Sequence, residues 1–334
     1  MHMADALLSP VVGGVMGVVT AASVAWCSRQ VRREADDRRV PLMGVLGAFL
    51  FAAQMINFSI PGTGSSGHLG GGLLLAILLG PDAAFLVVAS VLIVQALFFA
   101  DGGLLALGCN IFNLGFLPVF VGYPLYRWIA GLEPAPARAT TAAFVAAIVS
   151  LQLGALAVVL ETFTSGISAL PLVTFALFML PIHLAIGIVE GAVTAAIVAF
   201  VRNARPSLLE ATGARAQSVA GPAVVFLCAA LALGGVGSWF ASKNPDGLEW
   251  SVARTAEGAQ VLSSSAPMHA TLGTVQQVTA LLPHYGFRAP ASTGYSRQST
   301  ERVGTSVAGI LGGLMTLALA LLIGFALKAC SGRR

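Results

Sequence analysis

The chain has 334 residues, 57% of them hydrophobic and only 10% charged, with a mean hydropathy of +0.86. Soluble domains carry about 25% charged residues, so this balance excludes an ordinary soluble domain and points to an all-α polytopic membrane protein. The net charge of +4 lies mostly in short loops and reads as membrane topology, not as affinity for nucleic acid.

The first stretch, MHMADALLSP, lacks the basic region of a signal peptide and carries Asp5 where Lys or Arg would stand, so Met1 and His2 are expected to be retained. A free amine followed by histidine presents three nitrogens in a row: the Met1 α-amine, the His2 amide once deprotonated, and a His2 imidazole nitrogen. These close fused chelate rings that tend to lie in one plane, and a histidine from elsewhere could add a fourth nitrogen. Planar nitrogen ligation suits Ni(II) or Cu(II) and, less strictly, Co(II); zinc prefers a tetrahedron, and magnesium or calcium prefer oxygens.

Apolar runs follow at about 7–27, 41–58, 69–80, 83–100, 104–126, 139–160, 172–201, 219–241 and 304–328. Gly80-Pro81-Asp82 breaks the third from the fourth. A real break gives nine spans; a continuous 69–100 gives eight. Positive charge separates the two. Arg29, Arg32, Arg33, Arg38 and Arg39 mark the first loop as cytoplasmic. With nine spans, Arg127, Arg138, Arg202, Arg205, Arg215, Lys328, Arg333 and Arg334 fall on that same side. The remaining basic residues all lie in the long 242–303 segment, which the positive-inside rule discounts. Eight spans would put Arg127 and every basic residue from Arg138 to Arg215, with the C-terminal three, outside. Nine transmembrane helices, N-terminus out and C-terminus in, is therefore the expected topology.

His68, in PGTGSSGHLGGG, then faces the same side as His2. The third run has twelve residues and rises roughly 18 Å, short of the roughly 30 Å hydrocarbon core. Residues 61–72 are thus expected to form the floor of a pocket open to the outside, because irregular backbone at membrane depth must be buried or line a cavity. Met1, His2 and His68 are the candidate metal ligands, with Ser65 and Ser66 beside them.

Other polar residues within the spans have blander readings. His183 and Glu190, seven apart on one helix face, could form a second ion site or proton relay; a buried network bracing the bundle is the favoured account. Asn110, Asn113, Gln95 and Gln152 read as interhelical hydrogen-bonding groups. Gly44, Ala48 and Ala52 form a small-residue ridge for a partner helix, internal or from another subunit. His269 and His284 read as surface residues of the outer segment. The four cysteines are far apart and suggest neither disulfides nor zinc. No G-x-x-x-x-G-K-[ST] occurs, so the chain itself has no P-loop ATP site.

MHMADALLSP, PGTGSSGHLGGGLLLAILLGP, VQALFFADGGLLALGCNIFNLGF and PIHLAIGIVEGAVTAAIVAFVR together resemble the CbiM/NikM family, the substrate-binding S components of energy-coupling-factor transporters for cobalt and nickel. The resemblance covers about residues 1–206. NPDGLEW, at 244–250, resembles the CbiN/NikN (PDGLE) component, so the chain looks like the two fused. The resemblance implies that the metal sits on the N-terminal amine and amide, the His2 imidazole and His68. It also implies a transmembrane coupling (T) subunit and two cytoplasmic ATPase subunits as partners, and an inner-membrane location.

The expected organisation is a seven-helix metal-binding domain over 1–205, a cytoplasmic linker over 206–218, and a two-helix domain over 219–334 holding the extracytoplasmic segment 242–303. The expected function is uptake of Co²⁺ or Ni²⁺ as transported substrate, without enzymatic activity in this chain. A self-sufficient divalent metal permease or channel is the rival. A metalloenzyme or membrane sensor, the third class, lacks a visible acid/base or output domain.

Overall fold

The computed structural model describes residues 1–34, 39–131, 134–204, 220–256, 267–288 and 297–331. The expected cytoplasmic linker, 206–218, lies outside them. Every long apolar run becomes a helix, because a helix satisfies its own backbone where lipid offers no hydrogen-bond partner. In chain order these are α1 (Pro10–Glu34), α2 (Arg39–Gln54), α3 (Gly72–Leu79), α4 (Pro81–Phe99) and α5 (Leu107–Ile111). α5 runs on through two wider π turns, Phe112–Phe116 and Pro118–Gly122, into α6 (Tyr123–Ala130). α7 (Pro136–Ser165), α8 (Leu172–Ala204), α9 (Ala220–Gly235), α10 (Gly247–Thr255), α11 (Pro267–Thr279) and α12 (Arg297–Ser331) follow.

Among the described residues, six stretches are long and apolar enough to cross a membrane: within α1, α4, Leu107–Ala130, α7, α8 and α12. α2 and α9 have 16 residues each, about 24 Å of helix. The protein is therefore a multi-pass helical membrane protein. α4 is apolar on every side and 78% of its most hydropathic window is buried, against 17% for α1. α4 is thus the central helix, walled by α1, α2, α3, α5 and α12, whereas α1 turns most of its apolar surface outward.

Two features depart from the sequence expectation. The third run contributes only the 8 residues of α3, about 12 Å. Gly71, at φ +72°, takes the left-handed conformation that starts α3; His68 to Gly70 stay irregular, though buried or nearly so. The chain is also not purely helical. Phe58–Ile60 (β1) and Ser65–Gly67 (β2) pair antiparallel, Phe58 opposite Gly67, and so present the His68 loop rigidly at the end of α3.

The small-residue ridge has an internal partner. Gly44 lies against Leu321 and the Leu317 carbonyl, Ala48 lies beside Gly313, and Ala52 is fully buried on the same helix. α12 therefore packs along α2. α9 crosses α12 with Gly234 and Gly309 in backbone contact. α9 and α12 are so joined to the first bundle.

A second close approach positions the N-terminus. A Cβ on Gly108 would stand 2.5 Å from the Gly17 amide nitrogen, so α1 and α5 cross backbone to backbone. Gly108→Ala should force these helices apart at a cost of about 1–3 kcal/mol. A lowered thermal midpoint of the purified chain is the expected reading; an unchanged midpoint would mean that the crossing relaxes freely.

Candidate metal centre

Residues 1–8 fold back onto the bundle as a strap. The Met3 amide donates to Asn110 Oδ1 at 2.7 Å, and the Met3 carbonyl accepts from Asn110 Nδ2 at 3.2 Å and from the Gly103 amide at 2.9 Å. Asp5 Oδ1 accepts from the Ala106 amide at 3.0 Å. Met3 and Leu8 are fully buried, each worth about 1.5–3 kcal/mol relative to exposure to water. His269 Nε2 lies 3.1 Å from the Asp5 carbonyl and 2.9 Å from the Leu8 carbonyl. It is no idle surface residue: it fastens the strap from α11.

The strap delivers the Met1 amine into a buried pocket. The amine lies 3.0 Å from His68 Nε2 and donates to Asp246 Oδ2, also at 3.0 Å. His68 Nδ1 lies 3.1 Å from the Leu69 carbonyl. A carbonyl only accepts and an ammonium only donates, so Nδ1 carries the proton and the Nε2 lone pair faces the amine. Ligating histidines characteristically hold their second nitrogen on a backbone carbonyl or carboxylate in this way.

The His2 ring stacks on His68, centroids 5.0 Å apart and 18° from parallel. Its Nδ1 stands 3.4 Å from Asp101 Oδ1, and its Nε2 is buried without a partner. Asp101 Oδ2 in turn accepts from the Tyr285 hydroxyl at 2.5 Å. The ring nitrogen able to close a chelate with its own amide is Nδ1, so ligation by His2 requires the ring to turn away from Asp101.

Burial holds the His2 imidazole below its ordinary range. Burial, then the Met1 ammonium and His2, hold His68 well below it. Both rings are thus neutral near pH 7, the form that binds metal. Burial by itself would raise Asp246, but the Met1 ammonium and the Glu249 amide outweigh it and keep the carboxylate well below its usual range.

The floor is braced from behind. Glu190 accepts from the Gly70 amide at 3.1 Å and the Gly71 amide at 2.8 Å. Gln54 donates to the Gly70 carbonyl at 2.9 Å and accepts from Gln95 at the same distance. His183 Nδ1 is tied to the Met179 carbonyl at 2.7 Å, while its Nε2 is buried and unpartnered. His183 lines, with Met1, His68 and Asp246, a cavity of about 10 Å³, close to what one water needs. Of the pair read as a network, Glu190 braces the loop and His183 faces the pocket. Gln152 bonds across α7 and α8 to the Leu180 carbonyl, and Asn113 to Glu161 on α7.

Ser65 and Ser66 face elsewhere. Ser66 donates its amide to the Pro245 carbonyl at 2.8 Å and its hydroxyl to the Asn244 carbonyl at 2.8 Å, and Ser65 reaches Pro245. They dock the segment that follows α9. That segment brings Asp246, a residue the sequence reading did not single out. Asp246 caps α10 through Oδ1, accepting from the Glu249 amide at 2.8 Å, with Glu249 closing the capping box; the D-x-x-E spacing was the available signal. Gly247 lets α10 approach closely: a Cβ there would stand 2.9 Å from Ile186 Cδ1 and 3.0 Å from the His183 ring. Asp101 and Glu161 also went unremarked, since each acts through long-range partners.

Among the described residues no three His, Cys, Asp or Glu side chains gather as a metal cage.

Residues 2–208 match the family described as the cobalt uptake substrate-specific transmembrane region, and residues 220–329 match the PDGLE domain. The chain is similar to a protein of Archaeoglobus fulgidus provisionally named fused nickel transport protein NikMN, 33% identical across 98% of each chain. It is 31% identical to the cobalt transport protein CbiM of Sorangium cellulosum, over 63% of this chain and 95% of that one. Two crystal structures of transition metal transporters, one truncated, resemble 61% of this chain at 33% and 32% identity, with TM-scores of 0.54 and 0.55. They cover 99% and 93% of those chains.

Proposed function

This chain belongs to the cobalt uptake substrate-specific transmembrane (CbiM) family, with a PDGLE domain fused behind it, and from that premise we propose that it captures Ni²⁺ or Co²⁺ for an energy-coupling-factor importer. The ion is the substrate. Its donors are the Met1 amine, the deprotonated His2 amide, the His2 imidazole and His68. One observation carries the reading: His68 Nε2 lies 3.0 Å from the amine with its other nitrogen held on Leu69. Two donors each about 2.1 Å from one ion and at right angles to it stand about 3 Å apart, so amine and imidazole already have ligand spacing.

The topology that fits has the N-terminus outside and the C-terminus inside, with nine membrane segments counting α2, α9 and the short α3. The metal-binding unit is 1–205 and the PDGLE unit is 219–334, joined by the 206–218 linker. Ion release then needs the buried strap to open, which the bundle alone has no energy source to drive. A transmembrane coupling subunit and two cytoplasmic ATPases supply it, in the inner (cell) membrane.

The test is accumulation of radioactive Ni²⁺ or Co²⁺ into vesicles. Accumulation above the outside concentration is expected only with the coupling and ATPase subunits and ATP. Accumulation by this chain alone would favour the self-sufficient permease.

A further inference from the structure

The metal donors so far assigned all come from the first unit, yet the amine has two partners at equal distance. His68 Nε2 and Asp246 Oδ2 each lie 3.0 Å from it. In a planar set built on Met1 and His2, the amine has two in-plane neighbours. One is the His2 amide, fixed by the five-membered chelate ring. The other is the incoming His68 nitrogen. A third donor at the same edge distance has no in-plane position left and must stand above or below the plane.

We propose that Asp246, carried by the outer segment of the PDGLE unit, is a fifth, axial donor to the transported ion. This rests on the function proposed above.

Burial supports the assignment. Met1 is only 4% exposed and His68 8%, so the Asp246 oxygen that pairs with the Met1 amine stands in a pocket largely closed to water, where a carboxylate is stabilised by a bound cation.

Placement supports it as well. Oδ1 is committed to the helix cap and Oδ2 to the pocket. Pro245 is locked onto Ser66, two residues before His68. Both ligand-bearing segments are therefore clamped to each other. A strong axial oxygen disfavours the planar, four-coordinate arrangement typical of Ni(II), so Asp246 shifts preference towards Co(II).

The test uses the full chain loaded with Ni(II) or Co(II). Asp246→Ser keeps the capping box with Glu249 but leaves the hydroxyl too short to reach the ion. Wild-type Ni(II) should be paramagnetic with weak visible bands, and the variant diamagnetic with the strong band of planar nickel. The Ni-over-Co affinity ratio should rise roughly ten- to a hundredfold in the variant, the scale seen when a supporting partner is lost. Asp246→Asn, which also caps a helix, should move both readings the same way by less. Binding with a planar, diamagnetic wild type whose spectrum and ratio ignore both substitutions would overturn the axial donor alone. A wild-type chain that binds neither ion would remove the parent reading and this one with it.

Discussion

A single glycine inserted ahead of Met1 is expected to abolish tight Ni(II) and Co(II) binding. The insertion turns the Met1 amine into an amide and moves the terminal amine one residue, about 3.8 Å, along the chain. The strap cannot slip back to compensate. Met3 is held by Asn110 and Gly103, Asp5 by Ala106, and the Asp5 and Leu8 carbonyls by His269. Met1 is already buried, so the extra residue has no room. The insertion therefore removes the terminal amine as a donor and pushes the residues that follow it out of register with His68. Calorimetric titration should show affinity down by at least about a hundredfold, a loss of about 2.8 kcal/mol at 1.4 kcal/mol for each factor of ten. Undiminished binding would show that the amine is not a ligand, and attention would move to His183, Asp246 and the cavity between them.

The second large effect is at His68, and its size should exceed that of Glu190, which lies behind it. His68→Ala removes a lone pair aimed at the amine and leaves no neighbouring nitrogen to replace it except His183, on another helix. The expected loss exceeds the roughly 10–100-fold that removal of a supporting partner costs. Glu190→Gln touches no metal donor. It does leave one of the Gly70 and Gly71 amides facing an NH₂ group in place of a carboxylate oxygen, a buried unsatisfied donor worth about 1–3 kcal/mol. Its effect should stay within the supporting-partner range. Equal losses for the two variants would mean that loop position, rather than the imidazole, carries the affinity. A Glu190→Gln loss larger than that of His68→Ala would make Glu190 a ligand in its own right.

Parts of the proposed site were legible without coordinates. The chelate proposed for Met1 and His2 would join covalent neighbours, so proposing it needs no fold. The shortness of the third run foretold an irregular, buried loop around His68, because twelve residues cannot span a bilayer and the next residues are glycines. The ridge of Gly44 and Ala48 announced a close helix partner, but whether that partner was internal could not be read from one helix. Ser65 and Ser66 were placed near the metal for their nearness to His68 in sequence. Both hydroxyls and the Ser66 amide are instead spent on the Asn244 and Pro245 carbonyls, while the Ser65 amide bonds Thr63.

Composition and charge placement by themselves determined a polytopic helical protein, and local covalent chemistry made its N-terminus a candidate nitrogen-rich metal site. Those properties add up along the chain or sit between adjacent residues. The tertiary structure alone decided what completes the site. Asp246 meets Met1 across 245 positions, Glu190 meets Gly70 across 120, and Asn110 meets Met3 across 107. Contacts at such separations have no sequence period. They exist only because α5, α8 and the segment bearing α10 pack around the N-terminal strap and the His68 loop, where each buried polar group must find its partner.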